Sequence, residues 1–233
     1  MQNQFNTQPL TAVQENTLLR SVYNFMMMGL AISGVTAWMT SNSPFILNLI
    51  FGNSLIFFGL IIAELVMVWK ISRSIQSSMS ASTASTMFLL FSFINGLVLA
   101  SVFLAYTAES ITATFFVTAV TFGATSFYGY VTKTNLSSIG NYLFMALIGL
   151  IIASVVNIFL QSSTMGWIIT YAGILIFVGL TAYDTQKIKM LGQTIGTADG
   201  ERFGKIAVMG ALSLYLDFVN LFLLLLRVLG RRD

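Results

Sequence analysis

Three acidic side chains stand inside long apolar stretches of this sequence: Glu64, Asp184 and Asp217. Asp217 is the most isolated, because it lies near the middle of the largely apolar run from Gly210 to Arg227. A charged Asp at the centre of a membrane helix costs about 2.5–3.5 kcal/mol on insertion scales, so such residues usually face a cavity or a partner inside a helical bundle. These acids are therefore candidates for binding protons or cations.

Two carboxylates in a low-dielectric setting cannot both ionise cheaply, so such a pair shares a proton. Once deprotonated, its oxygen atoms would offer ligands to a hard cation such as calcium. The sequence contains no histidine, so a response to pH between about 5 and 8 would have to come from carboxyl groups. Proton and cation would then compete for one site.

Composition indicates where these acids are placed. The chain of 233 residues is 56% hydrophobic and 8% charged, whereas soluble domains carry about 25% charged residues. We therefore expect an integral membrane protein with the lipid bilayer as its surroundings. Cysteine is absent, which excludes disulfides and cysteine-based metal sites. The net charge of +3 comes from basic residues at segment ends, so no nucleic-acid partner is expected.

The apolar residues fall into seven stretches, each close to the ~20 residues that a helix needs to cross the hydrocarbon. The predicted fold is therefore an all-α integral membrane protein with seven transmembrane helices. We divide the chain into a polar cytoplasmic N-terminal tail (1–20), a seven-helix transmembrane domain (21–229) and a short C-terminal tail (230–233). The predicted helices cover residues 22–40, 46–69, 86–106, 112–131, 142–161, 166–186 and 206–226.

Loop charge predicts the orientation. The first, third and fifth connections are short and carry no Lys or Arg, whereas the others are basic. By the positive-inside rule the basic loops and the N-terminal tail are cytoplasmic, which places the C-terminus outside. Three arginines near the C-terminus disagree, and in an alternative the seventh segment dips into the membrane and returns. The absence of Gly and Pro between Ala211 and Gly230 favours a full crossing.

Short outer turns make three hairpins of the first six helices, which leaves the seventh to sit in the middle. Helical spacing puts Gly210, Ser213, Asp217 and Asn220 on one face of that helix. Glu64 shares no face with the bases that follow it, so its partner must come from another helix. Asp184 lies nearer the predicted inner surface than Asp217, so a direct pairing requires the sixth helix to end deeper than residue 186. We assign no site to Asn95 or Asn157.

Two motifs resemble one known family. Residues 182–188 (AYDTQKI) and 211–222 (ALSLYLDFVNLF) closely resemble the Bax inhibitor-1 (transmembrane Bax inhibitor motif) family. Residues 127–133 (FYGYVTK) and 156–159 (VNIF) are similar to its bacterial branch. The resemblance extends from about residue 20 to residue 229. It implies seven helices with the seventh surrounded by the other six, in a bacterial cytoplasmic membrane.

The family's activity, a pH-sensitive calcium leak, is what the resemblance implies for this chain. By motif position Asp184 and Asp217 correspond to the proton-sensitive pair that gates the leak and would meet calcium, and Glu64 to an acid of the ion path. A basic residue braces the pair in related members, and Arg73 is the nearest candidate. Calcium would be the transported ion, with no resident cofactor.

Two other functions compete with a leak. Intramembrane aspartyl proteases also carry a Tyr-Asp pair on one helix and a second Asp on the next, as Tyr183, Asp184 and Asp217 do here. Their second Asp follows a flexible Gly-x-Gly, however, and Asp217 follows Leu214, Tyr215 and Leu216, so we expect no enzyme. The remaining alternative is a membrane-embedded modulator of a protease or of a stress or cell-death pathway, acting through protein interaction.

Overall fold

The structure is a computed structural model that describes residues 12–194 and 200–231, without the side chains of residues 12–16 and 193–194. Residues 1–11 of the predicted tail lie outside it. A short 3-10 helix (Ser74–Gln76) accompanies eight α-helices, and this part of the chain contains no strand. They are α1 (Ala12–Ser41), α2 (Pro44–Phe51), α3 (Ser54–Ser72), α4 (Ala81–Ala105), α5 (Ala108–Val131), α6 (Ser137–Leu160), α7 (Ser163–Thr194) and α8 (Gly200–Leu229).

Seven of these helices are long and apolar enough to cross a membrane, all except α2. A helix satisfies its own backbone polar groups, which is what the hydrocarbon core demands. The predicted class, an all-α integral membrane protein with seven spans, is confirmed. The last span is 56% buried, whereas no residue in the most apolar window of α6 is buried, so the helix that carries Asp217 is mainly packed against protein.

The first helix takes in part of the predicted tail. It begins at Ala12, and Leu18 and Leu19 are 1% and 7% exposed. The apolar side chains at the end of the polar stretch therefore belong to the packed helix.

The second predicted segment, residues 46–69, is wrong as a single helix. The chain leaves its helical path at Gly52 and Asn53, between α2 and α3. Asn53 caps α3, because its side chain accepts a hydrogen bond from the backbone N–H of Leu55 at 3.0 Å. Pro44 stands in the first turn of α2, where its missing N–H costs nothing. The apolar residues on both sides concealed these local signals.

The chain forms two compact units. Among the described residues, the first holds 12–105 together with 188–194 and 200–215, and the second holds 106–187 together with 216–231. Both α7 and α8 contribute residues to each unit. Tyr215 consequently belongs to the first unit, whereas Asp184 and Asp217 belong to the second.

In the first unit α1 packs closely on α4 through glycine. A Cβ added at Gly29 would lie 2.7 Å from the Phe88 ring, and one added at Gly96 would lie 2.6 Å from the Thr36 side chain. Neither site has room for a larger residue, and small residues at such crossings let membrane helices approach each other.

In the second unit the buried core joins α7 to the last part of α8. Its fully packed members are Ile176, Phe177, Leu180 and Leu221. Gly173 lies in the same contact, where an added Cβ would be 2.8 Å from Leu224. The face of α7 that leads to Asp184 is therefore packed against α8.

The predicted end of the sixth segment near residue 186 is wrong, because α7 continues to Thr194. Ile188 is 2% exposed, and Lys187 beside it is exposed, so the extension is amphipathic. Its lysines had suggested the end of the membrane span. Asp184 thus lies well inside a helix. We expected Asp184 and Asp217 to lie at different depths in the membrane, but this does not prevent the two acids from meeting.

Helix α8 is unbroken from Gly200 to Leu229, which excludes the alternative in which the seventh segment turns back. Arg231, two residues beyond its end, is tied to the start of α5 in the second unit. The backbone N–H of Thr107 donates to the carbonyl of Arg231 at 3.2 Å, and the Arg231 N–H donates to Ser110 Oγ at 2.9 Å.

The beginning of α8 is tied to the start of α4 in the first unit. The Glu201 carboxylate accepts the backbone N–H of Ala81 at 2.7 Å, and Lys205 Nζ donates to the carbonyl of Ser77 at 3.2 Å. Glu201 thereby satisfies one of the N–H groups that the first turn of α4 leaves without a helical partner.

Candidate functional sites

Asp217 lies in the second unit, in a setting with little water. Its side chain is 5% exposed. The neighbouring Phe218 ring meets the rings of Phe115 and Phe122 edge-on, each at 5.5 Å between centroids. Asp217 Oδ2 is buried, and none of the described atoms forms a hydrogen bond with it. Buried polar atoms nearly always have such a partner, so this oxygen calls for an explanation.

Asp184 is half-buried on α7, and its charge acts directly on Asp217. The structure thus brings together the two aspartates that the sequence placed on different helices. Like charges in a low-dielectric environment repel strongly. Adding a proton or a cation would relieve this repulsion.

The backbone around Asp184 is fixed by two close approaches to glycine. A Cβ at Gly129 of α5 would overlap the carbonyl of Ala182, and a Cβ at Gly140 of α6 would overlap the Tyr183 ring. Any side chain at these two positions would displace the turn that carries the acid. Lys187, one turn further, has its Nζ over the Tyr183 ring at 5.6 Å.

Hydrogen bonds fix the residues on the other side of Asp184. Thr185 Oγ1 lies 2.8 Å from Ser126 Oγ and is fully buried. The amide of Gln186 bridges the α5–α6 connection: its Oε1 accepts the N–H of Leu136 and its Nε2 donates to the carbonyl of Thr134, each at 2.8 Å. Residues 182–186, which we name the Asp184 segment, therefore hold the acid in one position.

The aspartates do not amount to a complete calcium site. Within the described residues no three or more Asp, Glu, His or Cys side chains lie close enough together to hold a metal ion. Two carboxylates supply at most four oxygens, whereas calcium takes about six to eight. Further oxygens would have to come from carbonyls, hydroxyls or water, which suits weak binding better than firm retention.

Glu64, in the first unit, has a different environment. Its Oε1 accepts a hydrogen bond of 2.9 Å from Asn95 Nδ2 on α4, and the side chain is half-buried. This confirms that the partner of Glu64 comes from another helix. The partner is a residue to which we had assigned no site, because nothing in a single sequence distinguishes it from an asparagine that only joins two helices.

The contacts continue beyond Asn95. Tyr215 Oη lies 2.8 Å from Asn95 Oδ1 and 2.6 Å from Ser33 Oγ. Ser33 Oγ in turn lies 2.6 Å from the carbonyl oxygen of Ser92. We call these five residues the Glu64 chain. The one member that the sequence could have indicated is Tyr215, whose hydroxyl lies two residues before Asp217 in the motif that carries the family resemblance.

Aromatic rings close off the middle of this chain from water. Tyr215 is fully buried. The rings of Phe88 and Phe91 meet its ring edge-on at 5.8 and 5.6 Å. Tyr215 therefore faces α4 and not lipid.

Arg73, the candidate brace, is the C-cap residue of α3 in the first unit. Its guanidinium lies over the Trp69 ring at 4.8 Å from the centroid, and the side chain is exposed. Stacking of this kind suits Arg near a membrane surface. Bracing of the aspartate pair by Arg73 stays a prediction.

Known proteins that are similar to this chain indicate the same family as its two sequence motifs. A sequence model of a family described as inhibitor of apoptosis-promoting Bax1 matches residues 15–233. The inner membrane protein YbhL of Escherichia coli is 49% identical, over 97% of this chain and 95% of its own length. A Borreliella burgdorferi protein is 44% identical over 94% of this chain and 93% of its own, and a Streptococcus pyogenes membrane protein is 34% identical over 94% of each. This chain therefore belongs to the Bax inhibitor-1 family.

Proposed function

We propose that this protein is a pH-sensitive calcium leak channel in which protonation of the Asp184 and Asp217 pair closes the path. The observation that carries the proposal is the buried Oδ2 of Asp217, which has no hydrogen-bond partner among the described atoms. An ionised carboxylate in that setting is costly unless a proton or a cation lies beside it. Asp184 makes the cost larger, because its charge acts on the same group.

Competition between the two ligands then gates the flow. At low pH the pair shares a proton, which lowers its attraction for a cation. At higher pH both carboxylates face the path, and calcium relieves their repulsion. Conduction requires binding that is strong enough to admit an ion and weak enough to release it. Two carboxylates on adjacent helices, with no larger acidic cluster in the described parts of the chain, meet that requirement.

Other parts of the molecule take supporting roles in this proposal. Glu64 belongs to the ion path, and bracing of the pair by Arg73 stays what the family resemblance implies. Calcium is cargo, so the protein needs no resident cofactor and catalyses no reaction. The relative from Escherichia coli is named an inner membrane protein, and we place this chain in the bacterial cytoplasmic membrane with its N-terminus in the cytoplasm.

Calcium flux into liposomes that contain the purified protein, measured from pH 6 to pH 8, tests the proposal. We expect flux at pH 8 that falls as the pH is lowered to 6. Asp217→Asn replaces the acid with a neutral side chain of the same shape, so its flux should be low and independent of pH. The matched control is Glu109→Gln, which neutralises an exposed acid of the same unit and should keep the normal pH profile.

Two results would overturn the leak. One is wild-type protein that folds and inserts but passes no calcium at any of these pH values. The other is Asp217→Asn protein with an unchanged pH profile. The first result would favour the alternative, a membrane-embedded modulator of a protease or of a stress or cell-death pathway, which is then tested by identifying proteins that co-purify with the chain.

A further inference from the structure

The Glu64 chain contains four contacts between polar atoms in a row. They join Glu64 to Asn95, Asn95 to Tyr215, Tyr215 to Ser33, and Ser33 to the carbonyl of Ser92, at 2.9, 2.8, 2.6 and 2.6 Å. Every one of these distances is that of a hydrogen bond. A hydrogen bond needs one hydrogen between its two heavy atoms, so four contacts need four hydrogens.

With Glu64 ionised, the chain has only three hydrogens for its four contacts. The Asn95 amide donates to Glu64, and the Tyr215 hydroxyl donates to Asn95 Oδ1. Ser33 then has a single hydrogen, which can serve either Tyr215 or the Ser92 carbonyl. The other contact, between two oxygen atoms at 2.6 Å, is left without a hydrogen and is repulsive.

With Glu64 protonated, every contact receives one hydrogen. The nitrogen and oxygen of an asparagine amide occupy positions of the same shape, so the amide can rotate to accept from Glu64 and donate to Tyr215. Tyr215 then donates to Ser33, and Ser33 donates to the Ser92 carbonyl. All four bonds run in one direction, an arrangement in which neighbouring bonds strengthen each other.

We propose that Glu64 is a proton-binding site of the first unit, and that its proton completes a one-directional hydrogen-bond chain through Asn95, Tyr215 and Ser33. Asn95 and Tyr215 act as positioning residues for this acid. The site differs from the aspartate pair in its residues and in its unit. Proton binding by Glu64 goes beyond the ion-path role proposed for it above, and it needs no transport to be detected.

Few other charges surround this site. Tyr215 is the titratable group that faces Glu64 from α8. The neighbouring helices α2 and α4 and the 3-10 helix contain no acidic or basic residue. Lys70 on α3 and Arg73 at its C-cap lie six and nine residues further on, which is about 9 and 14 Å along a helix. On α1, Arg20 precedes Ser33 by 13 residues, or about 20 Å.

Infrared difference spectroscopy of the full-length protein in lipid nanodiscs tests this site. The protonated carboxyl group has a carbonyl band that ionisation removes, and a band absent from Glu64→Gln protein belongs to Glu64. We expect wild-type protein to show this band and to lose it in one step as the pH rises.

Two variants test the chain itself. Tyr215→Phe keeps the ring between Phe88 and Phe91 but removes the hydroxyl, and Ser33→Ala removes the last donor. In both variants the proton no longer adds a bond beyond Asn95. The proton-binding constant of Glu64 should therefore fall about threefold to tenfold, the worth of one hydrogen bond.

The matched control is Tyr142→Phe, which removes a hydroxyl from a tyrosine of the second unit that is 71% exposed. Its Glu64 band should titrate as in wild-type protein. The proposal is overturned if wild-type protein has no Glu64 band at any pH, or if Tyr215→Phe and Ser33→Ala both titrate like the control. Because there are two variants, the chain can still be tested if one of them fails to fold.

Discussion

Glu64 and Asp217 are both membrane-embedded acids, yet their surroundings differ in kind. Glu64 is half-buried and receives a hydrogen bond from an amide that is itself bonded to a tyrosine. Asp217 is more deeply buried, has an oxygen with no partner in the described residues and feels the charge of a second acid. One acid is built into a hydrogen-bond network, and the other is set against a like charge.

The difference separates two ways in which a fold can make an acid respond to its ligands. In the first unit the response that we propose comes from hydrogen bonds that a proton completes. In the second unit the proposed response comes from repulsion that a proton or cation relieves, and packing holds the acids in place. Substitutions in the two units should therefore change stability by different mechanisms and, in one case, with opposite signs.

The largest effect is expected at Gly129, where packing positions the Asp184 segment. Gly129→Leu places a side chain against the Ala182 backbone and should lower the free energy of unfolding by about 3 kcal/mol, the upper range for overpacking. Thermal unfolding in detergent measures it. Gly123→Leu is the matched control on the same helix, because an added Cβ there has nothing within 4 Å. Equal losses in both variants would contradict the role of packing at Gly129.

Asn95→Leu should have the next largest effect. It removes the amide between Glu64 and Tyr215 and leaves both polar groups without that partner, which costs about 2 kcal/mol. Chemical or thermal unfolding in detergent measures the loss, and Asn141→Leu, at an exposed position, provides the control. A variant as stable as the control would show that the Glu64 chain contributes nothing to stability.

Asp217→Leu should change stability in the opposite direction. Leucine has nearly the same shape but no oxygen to bury, so removing the unpaired atom and its repulsion with Asp184 should stabilise the fold by about 1 kcal/mol at neutral pH. A higher melting temperature in detergent is the expected result, with Glu109→Leu as the control at an exposed acid. Destabilisation as large as that of Asn95→Leu would remove the contrast between the two acids.

Glu201 is an exposed acid, and its substitution gives a reference for the effects at Glu64 and Asp217. Glu201→Ala removes the carboxylate that accepts the Ala81 N–H at the start of α4. Water can replace this bond, so the expected loss is only about 0.5 kcal/mol, the lower range for helix caps. Urea unfolding in mild detergent measures this loss. The control is Glu201→Gln, which keeps an acceptor and should therefore lose less stability. A loss above that of Asn95→Leu would mean that exposed acids matter more than buried ones.

The class of the fold was predictable because it follows from composition and from the length of apolar runs. Seven spans were predicted and seven are present in the described chain. Helix ends were less predictable. Lysines after Asp184 suggested the end of a span, although Ile188 is buried and α7 continues. The break at Gly52 and Asn53 depends on a single side-chain cap, which an average over twenty residues conceals.

The candidate site was predictable where a charge stood out and not where neutral groups carry the geometry. The three acids were conspicuous because charges are rare in apolar segments. Asn95 and Ser33 were not, because an amide or a hydroxyl in a membrane helix usually bonds to another helix or to its own backbone. Only coordinates show that their hydrogen bonds lead from one acid to a buried tyrosine.

The hydrogen bonds of Arg231 to Thr107 and Ser110 tie the end of α8 to the start of α5. Arg231, just beyond the end of α8, must therefore lie on the same side of the bilayer as the α4–α5 connection. Since the chain has no native cysteine, single cysteines introduced at the exposed positions Glu109 and Arg231 can be labelled without background. Their accessibility to a membrane-impermeant reagent should match, whichever side of the membrane that proves to be.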